Sequence, residues 1–283
     1  MIYKTAGRRS TVSDDNVDEN SLWWIYSITK TLTAISALQC VQRGQITLDD
    51  EDKVYDLVPE LKTLSVLAMG KDGKMRFAPP TQKITLRRLL SHTSGIGMDL
   101  FDPRLQTWRM ERGETCRALC GKSLEAYSTP LLFEPGQGWA YGGSAEFAGI
   151  LVERLNGMKL GEYMKKYIFT PLDMGSTTFH PHLDPMLAER LVEVSSRISD
   201  GTLVPGIPLF PTVTDDDSGA MGLASTLGDM TKLTIDLLQD QPKILSKESI
   251  EELCSSQFEP FSPPAFALEH TYVSHRRPSS VFS

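Results

Sequence analysis

The sequence predicts a mixed α+β fold, in which helical patterns recur along the chain between strand-like and hairpin-like stretches. Apolar residues recur at helical spacing between residues 28 and 41. Thr85 and Ser144 each stand directly before a further helical pattern, where a hydroxyl side chain commonly begins a helix. Short apolar or hairpin-like stretches at residues 22–26 and 70–80 are typical of strands and turns. Together these patterns favour a mixed fold built mainly from helices.

The elements follow from local signals along the chain. Residues 1–7 read as a short strand, and Trp23 and Trp24 are expected to pack in the core, with one of them as a candidate pocket residue. Gly44, Gly157 and Pro171 are stop signals after helical patterns. Helices are expected at residues 28–41, 86–90, 144–156, 160–168, 227–238 and 247–254. From Phe258 the chain is Pro-rich without periodicity, which predicts an unstructured tail over residues 258–283.

Composition bounds the class of protein. The 283 residues, with 40% hydrophobic content, are enough for one large domain or two lobes around a shared site. A net charge of −7 without a basic stripe argues against a nucleic-acid partner. The sequence has no apolar run of ~18 residues and begins with a polar stretch, so we expect no membrane segment, no signal peptide and a cytoplasmic location.

Cysteine and histidine spacing predicts neither a disulfide framework nor a metal site. The four cysteines are too few and too scattered for a disulfide-rich domain and are expected to be reduced. Cys116 and Cys120 share a plausible helix face, and His180 and His182 flank a proline, but neither pair has further ligands at zinc-like spacing. No metal and no cofactor are therefore expected.

Ser27 and Lys30 are the first candidate catalytic pair. Residues three apart lie on one helix face with Cβ atoms about 5–6 Å apart, so the Lys30 amine can reach the Ser27 hydroxyl. An unprotonated amine there would activate the serine as a nucleophile, and the N-terminus of a helix suits a developing oxyanion. The alternative is an ordinary serine cap beside a solvated lysine, because about one such pair is expected by chance in a chain of this length.

Three features occur in a characteristic order: Ser27-Ile28-Thr29-Lys30, the turn His92-Thr93-Ser94-Gly95, and Tyr141-Gly142-Gly143 ahead of a helix. This order resembles the serine β-lactamase and penicillin-binding-protein superfamily. Within it the sequence is most similar to the class C-like esterases and transesterases, and among these to fungal acyltransferases of lovastatin-type polyketide biosynthesis.

The resemblance implies a fold and a site. The fold would be an antiparallel sheet flanked by helices, a mainly helical lobe, and a site between them. Ser27 would be the acyl nucleophile, Lys30 its base partner, and Tyr141 the phenol or phenolate that moves a proton to and from the alcohol. Trp139, Gly142, Gly143 and Trp108 are the candidate substrate-binding residues, with Trp108 alternatively a core aromatic.

The sequence also departs from the family pattern. Many relatives place an asparagine two residues after the tyrosine, whereas Gly143 stands here; we expect a roomier site and poor β-lactam hydrolysis. His92 is expected to brace its turn by hydrogen bonding rather than to do chemistry, and Asp215, Asp216 and Asp217 to be solvated loop charge. Residues 219–225 resemble a loop that closes the pocket.

Domain organisation and function follow as expectations. Residues 1–257 are expected to form a β-lactamase-related domain that lacks the family's N-terminal helix and strand, its C-terminal strands and its Lys/His-x-Gly motif, so the sheet would be incomplete. The leading hypothesis is a serine acyltransferase or esterase that takes an acyl group from a small ester or thioester, or from an acyl carrier protein, and passes it to an alcohol or water. The alternative is a non-catalytic remnant that serves as a binding surface.

Overall fold

Helices make up most of the regular secondary structure in the computed structural model, which describes residues 4–274. The α-helices are α1 (Thr29–Gln42), α2 (Glu51–Leu57), α3 (Leu86–Leu90), α4 (Pro103–Glu111), α5 (Ser123–Tyr127), α6 (Ser144–Asn156), α7 (Leu160–Met164), α8 (Pro185–Ala188), α9 (Leu227–Leu237), α10 (Lys247–Cys254) and α11 (Pro263–Ser274). Short 3₁₀ turns span Tyr26–Ile28, Pro59–Thr63 and Pro181–Leu183, and a π-helical turn at Lys165–Phe169 extends α7.

Side-chain caps explain where several helices begin. The hydroxyls of Thr85, Thr226 and Ser246 each accept a hydrogen bond from a backbone N–H three residues later, at the starts of α3, α9 and α10. The predicted bounds of α3 and α10 are therefore confirmed. Helix α6 begins at Ser144 as predicted and ends at Asn156; Gly157 caps it with a φ of +62°, in the left-handed region that glycine tolerates.

The strands form three antiparallel pairs among the described residues. They are β1 (Trp23–Trp24), β2 (Val66–Met69), β3 (Met75–Ala78), β4 (Ser195–Arg197), β5 (Leu203–Pro205) and β6 (Ala224–Ser225). β1 pairs with β6, β2 with β3, and β4 with β5. In the first pair, Trp23 lies opposite Ser225 and Trp24 opposite Ala224. This pairing holds the segment before Ser27 beside the segment after Gly222.

The main core lies where α1 packs against α6, with α3, α7 and α10 around them. Leu32 and Ile35 on α1 and Phe147 and Leu151 on α6 are fully buried in this core. Burying side chains of this kind stabilises a fold by about 1.5–3 kcal/mol each. Helix α1 contains Lys30, and α6 begins three residues after Tyr141. The packing of α1 against α6 therefore fixes the positions of both residues.

Three sequence predictions differ from the structure. Residues 4–7 are not a strand, and residues 1–3 lie outside the described part. Trp23 is 44% exposed rather than in the core, whereas Trp24 packs beside a small second cluster. The predicted tail contains α11 (Pro263–Ser274), which its prolines permit because they stand in the first turn, where no intrahelical N–H is needed. The prediction for residues 275–283 falls outside the described residues.

Between residues 4 and 274, no helix is both long enough and apolar enough to cross a membrane.

Candidate active site

Ser27 sits in a strained turn directly before α1. The 3₁₀ turn Tyr26–Ile28 leads into the helix, which begins at Thr29, so Ser27 stands just outside the α-helix rather than within it. Tyr26 has φ +42°, a left-handed conformation that costs a non-glycine residue about 1–3 kcal/mol. Ser27 is exposed. Such strain next to an accessible hydroxyl is typical of functional sites.

The three predicted catalytic side chains meet. Ser27 Oγ lies 2.8 Å from Tyr141 Oη, and Lys30 Nζ lies 3.1 Å from Ser27 Oγ. Lys30 Nζ also donates to the carbonyl of Ala220 at 2.9 Å and lies 4.9 Å from the centre of the Tyr141 ring. The alternative of a solvated lysine beside an ordinary serine cap is therefore wrong, because the amine is held between two oxygen acceptors.

An aromatic cluster supports Tyr141. The His92 ring lies 5.0 Å from the Tyr141 ring and 5.9 Å from that of Trp139, measured between centroids. The His92 carbonyl accepts a hydrogen bond from Ala140 N at 3.1 Å. His92 Nδ1 is buried and has no hydrogen-bond partner within residues 4–274. Burial, reinforced by the positive charge of Lys30, lowers the pKa of His92 to about 4, so the ring is neutral near pH 7.

The two glycines after Tyr141 do not open the site as expected. A Cβ on Gly143 would overlap the ring of Tyr127, so this ring occupies the space that a side chain would take. A Cβ on Gly142 would overlap the backbone at Ile96 and Gly97. The prediction of a roomier pocket at Gly143 is therefore wrong. Both glycines allow close packing behind Tyr141 instead of lining a cavity.

A cleft of about 790 Å³ borders Tyr141, and Trp139, a candidate substrate-binding residue from the sequence, lines it. Its other apolar walls come from Met98, Phe101, Leu132 and Phe133, and Thr271 of α11 also lines it. Trp108 lies elsewhere: it borders a separate groove with Phe77 and Pro130, and the guanidinium groups of Arg109 and Arg112 lie over its ring. The cleft is of the size that holds drug-sized ligands.

Sequence reasoning missed a buried carboxylate behind the site. Glu146 on α6 is 3% exposed and accepts hydrogen bonds from Ser123 Oγ at 2.8 Å, Ser218 Oγ at 2.6 Å and Gly219 N at 3.0 Å. Burial raises the pKa of this carboxyl, and the two hydroxyl donors oppose that effect. A glutamate within an otherwise apolar helical stretch was the signal that could have found it.

The acidic loop before Ser218 was also misjudged. The Asp217 side chain is only 4% exposed, accepts a hydrogen bond from Gly161 N at 2.8 Å and lies 2.7 Å from His180 Nε2. Asp216 accepts from Ser123 N at 3.0 Å. Asp215 alone is exposed. Two of the three aspartates therefore anchor the loop, because backbone N–H groups of distant segments need these acceptors.

Comparisons with known proteins agree with this arrangement. The β-lactamase family model matches residues 1–273. The chain is 34% identical to the acyltransferase calJ of Penicillium decumbens over 93% of this chain and 63% of that protein. It is also 34% identical to a lovastatin esterase of Penicillium rubens, over 69% of this chain and 49% of that protein.

The fold has solved counterparts. A mutant of simvastatin synthase from Aspergillus terreus superimposes with a TM-score of 0.82 at 28% identity, over 96% of this chain and 68% of that one. The chain spans roughly half to two thirds of the length of the two curated relatives named above. Because the family model matches nearly all of the sequence, the chain belongs to the β-lactamase family.

Proposed function

We propose that this protein is a serine acyltransferase or esterase that forms an acyl-enzyme on Ser27. The observation that carries the proposal is the position of Ser27 Oγ, within hydrogen-bond distance of both Tyr141 Oη and Lys30 Nζ. A nucleophile with a proton acceptor on one side and a cation on the other is an arrangement that can activate a serine for acyl transfer.

The hydrogen-bond directions favour Tyr141 as the base. A charged lysine has only donors, and Lys30 directs them at Ser27 Oγ and the Ala220 carbonyl. The Ser27 hydroxyl is then free to donate its proton to Tyr141 Oη, 2.8 Å away, and in this proposal Tyr141 accepts it as a phenolate beside the Lys30 ammonium. Lys30 thus supports the base electrostatically, and the pair shares the proton between its two members.

The reaction proceeds in two balanced steps. Ser27 Oγ attacks the acyl carbonyl, its proton passes to Tyr141, and the leaving alcohol or thiol takes that proton as its bond to the acyl carbon breaks. An acceptor alcohol or water then loses its proton to Tyr141 and attacks the Ser27 ester. Tyr141 returns the proton to Ser27 Oγ as the product leaves, so the enzyme ends as it began.

The cleft beside Tyr141 supports an apolar acyl donor or acceptor. Its walls are mainly aliphatic and aromatic, and the ion pair between Arg104 and Asp102 lies at the same cleft. The named relatives are an acyltransferase and a lovastatin esterase. We therefore propose small ester or thioester donors and a bulky alcohol as acceptor. An acyl carrier protein as donor and a cytoplasmic location remain predictions from the sequence.

Turnover of p-nitrophenyl butyrate with and without an added alcohol tests this function. We expect release of p-nitrophenol by the wild-type chain and none above background with Ser27→Ala, and the butyrate ester of the alcohol distinguishes transfer from hydrolysis. A chain that binds an apolar ester but neither turns it over nor reacts with a fluorophosphonate would contradict the proposal and favour the non-catalytic binding protein.

A further inference from the structure

The carbonyl that holds Lys30 belongs to a turn that is itself held by one carboxylate. Residues 218–221 form this turn, which we call the lysine turn. Ser218 Oγ accepts hydrogen bonds from Ala220 N at 3.3 Å and Met221 N at 3.0 Å, which closes the turn on itself. Ala220 O then accepts from Lys30 Nζ at 2.9 Å. The position of Lys30 therefore depends on the shape of this turn.

Glu146 fixes the lysine turn from behind. One of its oxygens accepts from Ser218 Oγ, and the other accepts from Gly219 N and from Ser123 Oγ. Gly219 is further held by Thr33, whose hydroxyl donates to the Gly219 carbonyl at 2.7 Å. Glu146 stands five residues after Tyr141 at the start of α6. A single buried side chain thus links the segment of Tyr141 to the turn that holds Lys30.

We propose that Glu146 is a positioning residue for acyl transfer: through Ser218 and Gly219 it shapes the lysine turn so that the Ala220 carbonyl holds the Lys30 amine against Ser27. The inference rests on the proposed function and deepens it. Glu146 itself touches none of Ser27, Lys30 or Tyr141 through the hydrogen bonds described, so it acts only through the turn.

The donor set makes a carboxylate necessary. In Glu146→Gln, one oxygen becomes an amide nitrogen that can only donate. If the nitrogen faces Gly219 N, two donors meet. If the amide nitrogen faces Ser218 Oγ, the serine oxygen must accept a third hydrogen bond, because it already accepts from the backbone N–H groups of Ala220 and Met221. Either orientation disturbs the turn, although the size of the side chain is unchanged.

The first test compares Glu146→Gln with Glu153→Gln in the full chain, using p-nitrophenyl butyrate. Glu153 lies on the same helix and accepts a hydrogen bond from Leu160 N at 2.8 Å, so it controls for loss of a partly buried carboxylate. We expect Glu146→Gln to lower kcat about 10–100-fold with KM changed less than about 3-fold, the effect of a misplaced catalytic group. Glu153→Gln should change neither constant by more than about 2-fold. Equal kcat in both variants would overturn the inference.

Ser218→Ala provides a second route to the same turn. If Glu146→Gln fails to fold, as shown by the absence of a cooperative unfolding transition, Ser218→Ala tests the inference by itself. This variant removes the Ser218 hydroxyl and leaves the Glu146 carboxylate in place. We expect a comparable loss of kcat. If both variants fold, the double variant Glu146→Gln/Ser218→Ala should lose less kcat than the product of the two single losses, because both substitutions act through one turn. Fully multiplicative effects would contradict a shared path.

Chemical modification of Lys30 separates this inference from the proposed function. Reductive methylation with formaldehyde and borohydride, quantified by mass spectrometry, should label Lys30 several-fold faster in Glu146→Gln than in wild type, relative to the exposed Lys83. The ratio should stay unchanged in Glu153→Gln. A wild-type chain without esterase activity would refute the proposed function, whereas an unchanged Lys30 ratio in Glu146→Gln would refute the role of Glu146.

Discussion

At the scale of single residues, the Ser27 hydroxyl has two hydrogen-bond partners, the amine of Lys30 and the phenol of Tyr141. Lys30 Nζ lies 3.1 Å from the serine oxygen and Tyr141 Oη lies 2.8 Å from it. The helix spacing alone indicated the first contact, because residues three apart share a face. The second joins residues 114 positions apart, and only the resemblance to a family indicated it. No local pattern fixes such a distance.

Tyr141→Phe removes only the hydroxyl of the proposed base. We expect the variant to fold normally and to lose about 10²–10⁴ in kcat, the usual range for a positioned acid–base group. The measurement is the rate of p-nitrophenyl ester turnover between about pH 6 and 10, a range that includes the titration of free tyrosine near ~10. Tyr167→Phe, whose ring packs on Arg43 and Tyr163, is the control and should keep wild-type rates. Equal rates for both variants would exclude Tyr141 from the mechanism.

His92 makes stability depend on pH. Folding lowers its pKa from 6.5 to about 4, so the unfolded chain binds more protons than the folded chain between these values. The free energy of unfolding should therefore fall as the pH drops from about 6.5 to about 4. His92→Asn, which tolerates the left-handed backbone at φ +60°, should show a shallower fall in urea titrations. The exposed His182→Asn should keep the wild-type slope; a shallower slope there as well would contradict this account.

Gly143→Ala tests the close packing behind Tyr141. The added methyl would overlap the Tyr127 ring, and overpacking of this kind costs about 1–3 kcal/mol. We expect a lower midpoint in thermal unfolding. Gly175→Ala is the matched control, because a Cβ there meets no atom within 4 Å. If Gly143→Ala were as stable as Gly175→Ala, the Tyr127 ring would not fill this space.

At the scale of elements, a buried ion pair ties α4 to its neighbours. Arg109 Nε donates to Asp99 at 2.9 Å, and the two side chains are 5% and 0% exposed. Asp99 also accepts from Arg117 N and Ala118 N, both at 3.0 Å, while the Arg109 guanidinium donates to the Ala126 carbonyl on α5 at 2.8 Å. These bonds hold together a region that has little regular secondary structure.

Asp99→Asn should therefore destabilise the fold strongly. Arg109 would lose its fully buried counterion and keep only Glu114, 2.7 Å away and 21% exposed; removing one partner of a buried pair costs up to about 3–5 kcal/mol. Urea unfolding followed by circular dichroism measures the loss. Asp14→Asn breaks a pair whose side chains are 92% and 62% exposed and should have little effect, because solvent screens it. Similar midpoints for the two variants would contradict the structural role of Asp99.

Element boundaries were predictable where caps are local. Thr85 and Ser246 bond backbone groups three residues away, so the sequence itself contains the signal for α3 and α10. Asp217 and Glu146 were not predictable in the same way. Asp217 accepts from a residue 56 positions away and Glu146 from one 72 positions away, and a helical or loop pattern does not show which distant donors will need them.

At the scale of the whole molecule, the site exists only when distant parts of the chain meet. Lys30 contacts Ala220 across 190 positions, and β1 pairs with β6 across a similar separation. The core between α1 and α6 fixes the helix that contains Lys30 relative to the helix that follows Tyr141. The order of motifs in the sequence predicted the fold class and singled out Ser27, Lys30 and Tyr141 as the candidate catalytic residues, whereas the lysine turn is visible only in the packed structure.

Mass spectrometry of the acyl-enzyme tests the central claim most directly. Ser27→Ala should abolish acyl transfer, with a loss on the order of 10⁶ in turnover, because a covalent mechanism cannot proceed without its nucleophile. After brief incubation of the wild-type chain with p-nitrophenyl butyrate and acid quench, the account predicts a butyryl adduct on the peptide that contains Ser27, and no adduct in Ser27→Ala. An adduct on another residue, or full turnover by Ser27→Ala, would contradict it.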